Sequence, residues 1–79
     1  MKMHDVYSSS IKRVGYSLEY DGAPAIYVVF KSSSKKTYVY GVTRKRAFHN
    51  LMDAESIGKY FNKYIQPQYP LLDILHGKA

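Results

Sequence analysis

From Ile11 onward the chain alternates, with Val14, Tyr16, Leu18 and Tyr20 on one side and Arg13, Gly15, Ser17 and Glu19 on the other. A period of two predicts a half-buried β-strand. Asp21-Gly22 follows, a dipeptide that tolerates positive φ at both central turn positions and so predicts a tight hairpin. Residues 25–31 hold Ile26-Tyr27-Val28-Val29-Phe30, a β-branched and aromatic run that predicts the second and strongest strand. Ser32-Ser33-Ser34-Lys35-Lys36 reads as a polar turn, and Thr37-Tyr38-Val39-Tyr40-Gly41-Val42 as the third strand of a meander.

The period then changes. Thr43 is placed to cap a helix that carries Ala47, Phe48, Leu51 and Met52 on one face. After the corner Asp53-Ala54-Glu55, Ser56 can cap a second helix. There Ile57, Tyr60, Phe61, Tyr64 and Ile65 recur at helical spacing and form a full apolar stripe. Pro67 and Pro70 end it. The expected architecture is therefore α+β: a three-stranded antiparallel β-meander followed by two α-helices packed on one face (β-β-β-α-α), plus a short apolar C-terminal tail. Residues 1–10 read as a frayed lead-in, 11–66 as the domain and 67–79 as the tail, with Leu71-Leu72-Asp73-Ile74-Leu75 as one helical turn. A sheet needs cover for its apolar face. The helices should cover Val14, Tyr16, Leu18, Ile26, Val28, Phe30, Tyr38 and Tyr40. The outer face should show Arg13, Ser17, Tyr27, Val29, Lys31, Thr37 and Val39.

Composition narrows the class. With 79 residues there is room for one domain, and 46% hydrophobic residues exclude general disorder. The absence of cysteine excludes disulfides, thiolate metal sites and a cysteine nucleophile. A small unstapled domain suits a reducing compartment, so a cytoplasmic protein is expected. Residues 1–7 do not read as a signal peptide, and no apolar run approaches the ~20 residues that span a bilayer, so no membrane partner is expected.

Charge carries the functional reading. Twelve Lys and Arg against six Asp and Glu leave a net charge of +6, a field that attracts polyanions. A meander gathers Lys12, Arg13, Lys31, Lys35 and Lys36 at one end of the sheet, with Glu19 and Asp21 at the other. Arg44-Lys45-Arg46 fall in the expected first helical turn, where cations oppose the macrodipole and stability alone would place acids. They are read as a phosphate grip, or else as partners of Glu19 and Asp21. Lys59, Asn62 and Lys63 share the polar side of the second helix. Gly58 inside that helix requires a close neighbour, expected to be the other helix. Tyr27, on the outer face beside Lys31, is the candidate for stacking on bases, whereas Tyr38 and Tyr40 face the core. Val29 and Val39 make the same face apolar enough to be covered by the tail leucines or a second subunit. His4, His49 and His76 are isolated, so neither a metal nor another cofactor is expected. Catalysis finds no supporting constellation.

Several short segments, in order, carry a family resemblance: Ser9-Ser10-Ile11, Val14-Gly15-Tyr16, Tyr38-Val39-Tyr40, Gly41-Val42 and Ser56-Ile57-Gly58-Lys59-Tyr60-Phe61-Asn62. Between residues 8 and 65 the chain resembles the KTSC domain, which occurs at the C-terminus of some lysyl-tRNA synthetases and as stand-alone bacterial and phage proteins. The resemblance implies a small non-enzymatic RNA-binding module. Thr43-Arg44-Lys45-Arg46 departs from the family pattern, which has a proline or an acid there. The expectation is thus binding to RNA or DNA backbones with weak sequence specificity. The alternative is a protein-interaction module, such as a phage or mobile-element inhibitor of a host protein. It would use Tyr27, Val29, Val39 and the tail leucines, or bind an acidic protein surface.

Overall fold

The computed structural model describes residues 2–76. Five antiparallel strands, hydrogen-bonded in chain order, form a single sheet: β1 (Lys2–Asp5), β2 (Ile11–Tyr20), β3 (Ala23–Phe30), β4 (Lys36–Gly41) and β5 (Leu71–His76). This corrects the expected three-stranded meander followed by two helices: the fold is mostly β. The two additional strands come from the segments read as a lead-in and a helical turn. Met1 and residues 77–79, the ends of those two segments, lie outside the described residues. β1 is four residues long, three of them polar, and β5 is rich in leucine, a helix former with no period of two. Neither declares itself locally. Each is a strand because its neighbour offers an open ladder, Met3 opposite Gly15 and Ile74 opposite Tyr38.

Local chemistry explains the connections. Asp21 and Gly22 both adopt positive φ (51° and 76°), the conformation that closes a two-residue hairpin with the twist of its strands. Lys31–Ser33 form one 3-10 turn between β3 and β4. After β4 come α1 (Arg46–Met52) and α2 (Ile57–Tyr60), the latter continuing without a break into a π-helical turn, Phe61–Ile65. Ser56 caps α2, its Oγ accepting from the Lys59 amide at 3.4 Å. Thr43 does not cap α1. The capping position is Lys45, whose side chain makes no capping bond.

The main core lies between the sheet and the helices. Ile11, Val14, Ile26 and Val28 from the sheet meet Phe48, Leu51, Ile57, Phe61 and Ile65 from the helical side. Phe61 is its centre, with its ring edge-on to Phe30 at 5.5 Å and to Tyr40 at 5.2 Å. Leu18, expected on the covered face, is 63% exposed, because β2 becomes irregular between Ser17 and Tyr20 and leaves the helices behind.

The opposite face is not open either. Ala25, Tyr27 and Val39 form a second, smaller core flanked by Met3 and Tyr20, and Val29 is also buried. Tyr20 reaches across this face from β2 to β5, edge-on to Tyr27, and its hydroxyl donates to the Asp73 carboxylate at 2.9 Å. That bond holds the Tyr20 phenol above its ordinary pKa, with smaller contributions from desolvation and the negative charge beside it. Burial likewise raises Tyr40. Among the described residues, the Tyr16 hydroxyl is the buried side-chain polar atom with no hydrogen-bond partner.

These contacts set two expectations for urea unfolding. Phe61→Ala should lose about 3–5 kcal/mol, the cost of an aromatic cavity. Tyr16→Phe should lose nothing and can add stability, since it removes an unsatisfied group and keeps the ring. A loss above about 1 kcal/mol in Tyr16→Phe would reveal a partner for that hydroxyl.

Candidate nucleic-acid interface

The expected site residues fall in three places. Lys12, Arg13, Lys31, Lys35 and Lys36 do share one end of the sheet, where Ile11 pairs with Phe30 and the Lys31 amide donates to the Ser10 carbonyl at 2.9 Å. They are not equivalent. Lys12 is half-buried at an irregularity in β2, and Arg13 Nε lies 3.1 Å from Asp5 Oδ1. Lys31, Lys35 and Lys36 remain exposed, the last two beside a shallow hollow of about 350 Å³ made by the serine turn.

Arg44, Lys45 and Arg46 are all exposed, but only Arg46 lies within α1. The expected placement of all three in a first helical turn is therefore corrected, and a helix of seven residues offers little dipole to hold an anion. Lys45 turns away from its neighbours, its Nζ standing 5.8 Å from the centre of the Tyr16 ring. Glu19 and Asp21 do not neutralise the arginines. Among the described residues, the ion pair is Arg13–Asp5.

Two adjoining clefts then bring the helical cations together. The first, of about 330 Å³, lies between α1 and the π-helical turn, with Arg44, Arg46 and Asn50 on one side and Tyr60, Tyr64 and Gln68 on the other. The second, of about 400 Å³, is lined by Ser56, Lys59 and Lys63 and again by Tyr60 and Tyr64. Glu55 lines it as well. The two tyrosines thus form a ridge between basic clefts, their ring centres 4.7 Å apart, with Lys63 Nζ 5.3 Å from the Tyr64 ring centre. Asn62 is exposed on the same segment.

Sequence reasoning placed Tyr60 and Tyr64 in the core stripe; Tyr60 is half-buried and packs against that core, whereas Tyr64 does not, and the π-helical turn is why. The Gln66 amide bonds to the Phe61 carbonyl, five residues back, at 2.9 Å. The wider turn keeps Ile57, Phe61 and Ile65 on the sheet, at 8%, 1% and 1% exposure, and moves Tyr64 out to 41%. Asn50 was legible in principle, since it follows Arg46 by four residues and so shares its helix face. Tyr27 is a further correction. Proposed as a stacking platform on an open face, it is 7% exposed and packed in the second core, so its ring is not offered to a base. No group of three or more His, Cys, Asp or Glu able to hold a metal occurs among the described residues. No helix among them is long and apolar enough to cross a membrane.

Gly58 marks a close approach, though not between helices. A Cβ there would stand 2.9 Å from Ser10 Oγ and 3.1 Å from Ser8 Oγ. Ser8 Oγ is itself held by the amides of Ser10 and Ile11, at 3.3 and 3.2 Å. The serine turn before β2 therefore seats α2, and with it the tyrosine ridge.

Comparison with known proteins bears on the family and the fold. The family model of the KTSC domain matches residues 7–69. A crystal structure of a KTSC domain protein from Yersinia pestis superposes with a TM-score of 0.73 at 26% identity, over 91% of this chain and 97% of that one. No curated protein matches the sequence.

Gly58→Ala should lower stability by about 1–3 kcal/mol in urea, the usual cost of overpacking, although alanine is the better helix former. Adding Ser10→Ala should recover part of the loss. If Gly58→Ala proves as stable as the parent, the serine turn is not what seats α2.

Proposed function

We propose that this chain, which belongs to the KTSC domain family, binds nucleic acid, RNA in particular, along its helical face and performs no catalysis. The observation that carries the reading is the tyrosine ridge flanked on both sides by cations: Arg44 and Arg46 in one cleft, Lys59 and Lys63 in the other. Cations gathered within reach of one polyphosphate gain affinity by releasing its counterions. The exposed Tyr64 ring, with the half-buried Tyr60 beside it, suits stacking, which contributes about 1–3 kcal/mol per base.

The direction of the segment supports the same reading. α2 starts against the Ser8–Ser10 turn, and the chain leaving the π-helical turn reaches Pro70, whose carbonyl accepts from the Gly41 amide at 3.0 Å. The segment therefore crosses from the basic end of the sheet toward the hairpin end. A strand laid along it would meet Lys59, Lys63 and the arginines within one short run. Four phosphate contacts correspond to a salt slope of roughly 3 for a single strand.

Binding of a labelled 12-nucleotide RNA across a salt series checks this. Affinity should fall with about that slope, and Arg44→Ala with Arg46→Ala should weaken binding and flatten the slope by one to two. Lys35→Ala with Lys36→Ala, at the sheet end, should change it little. Absence of binding at low salt, or an equal loss from the Lys35/Lys36 pair, overturns the assignment.

A second reading rests on β5. Leu71, Leu72 and Leu75 are 47%, 45% and 41% exposed on this edge strand, and an uncovered apolar edge is a template for another strand. It would make the protein an interaction module or a homodimer. Light scattering separates the cases: a mass above one chain that Leu75→Lys returns to one chain supports pairing through β5. A single-chain mass in the parent removes the homodimer.

A further inference from the structure

We infer that the cleft between α1 and the π-helical turn receives one unpaired nucleotide, which would make the protein a reader of single strands and not of duplex. The inference rests on the nucleic-acid reading above and deepens it, because contact with a backbone needs no cavity. At about 330 Å³ the cleft lies at the lower end of the range for small-ligand sites, roughly 300–1,000 Å³, which suits one base with its sugar.

The lining is divided by chemistry. Arg44 and Arg46 supply planar guanidinium forks of the kind that grip phosphate. Tyr60 and Tyr64 supply ring faces. Asn50 and Gln68 supply two amides, each with a donor and an acceptor, the pairing that matches base edges. Among the described residues no carboxylate lines this cleft, so none of them repels a phosphate there. Asn50 is also an odd choice for an exposed position inside a short helix, where asparagine competes with the backbone for hydrogen bonds. Its place one turn after Arg46, facing the cleft, gives that choice a reason.

A base inside a duplex offers this cleft neither a face nor a Watson–Crick edge. Recognition through stacking and splayed base edges belongs to single strands. A binder that used phosphates alone would behave oppositely and prefer duplex, whose charge density is greater.

The test compares 12-nucleotide oligo-A, oligo-U, oligo-C and the A·U duplex at one low salt concentration, with circular dichroism melts to confirm that every variant is folded. The expected result has two parts. One homopolymer binds at least tenfold more tightly than the weakest, and the single strands outcompete the duplex. Asn50→Ala with Gln68→Ala should bring the homopolymers to within threefold of one another while leaving the salt slope unchanged. Arg44→Ala with Arg46→Ala should weaken all of them in parallel and keep their ratios. Homopolymers bound equally by the parent, with duplex at least as tight, would overturn this inference and leave backbone binding standing. No binding by any oligonucleotide would remove both.

Discussion

The wedge of Phe61 between Phe30 and Tyr40 is the contact on which the rest of this structure depends. It joins the helical segment to two adjacent strands at once, with both neighbouring rings edge-on at 5.5 and 5.2 Å, the geometry that aromatic quadrupoles favour. With Phe61 fixed, the segment must keep Ile57 and Ile65 on the sheet as well. An α-helix drifts about 40° over each four-residue step, and the π-helical turn removes part of that drift. The side chain displaced by this adjustment is Tyr64, while Tyr60 stays half-buried against the core. The ridge that separates the two basic clefts is thus a by-product of packing the core. A deformation of regular helix, stabilised by buried aromatic contacts, turns one apolar-stripe residue, Tyr64, into surface.

Stability and recognition are otherwise distributed unevenly over the molecule. The sheet buries both of its faces, one under helices and one under its own tyrosines, which is unusual cover for a chain of 79 residues. Cations are kept away from that packing. Arg13 is matched by Asp5 at the surface, a pair worth about 0–1 kcal/mol at most, and Lys45 rests over Tyr16. Those on the helical face have no carboxylate partner among the described residues, and Lys63 rests beside the Tyr64 ring. The two sheet edges differ in the same spirit: β1 is short and carries Lys2, His4 and Asp5, which discourages edge pairing, while β5 is leucine-rich.

Much of this was legible in the sequence, and for identifiable reasons. Asp21-Gly22 specifies its hairpin because few other residues accept two positive φ values in succession. Val14 and Tyr16 face the helices because β2 alternates them with Arg13, Gly15 and Ser17. Ser56 caps because its hydroxyl sits three residues before an amide that needs an acceptor. The segments shared with the KTSC family coincide with these same constraints, the serine turn and Gly58 most clearly, where a Cβ would meet two hydroxyls.

What the chain determines by itself, then, is whatever acts within a few residues: turns, alternation, caps, and the sign and amount of charge. Tertiary structure alone decided the two edge strands, the burial of Tyr27 and the outward turn of Tyr64. Each of those depends on a neighbour distant in sequence, whether an open hydrogen-bonding ladder, a tyrosine reaching from β2 to Asp73, or a phenylalanine wedged between strands. A side chain's partner across space leaves no mark on the residues beside it in the chain. For that reason the cations could be counted from the sequence, while the clefts that organise them could not be drawn from it.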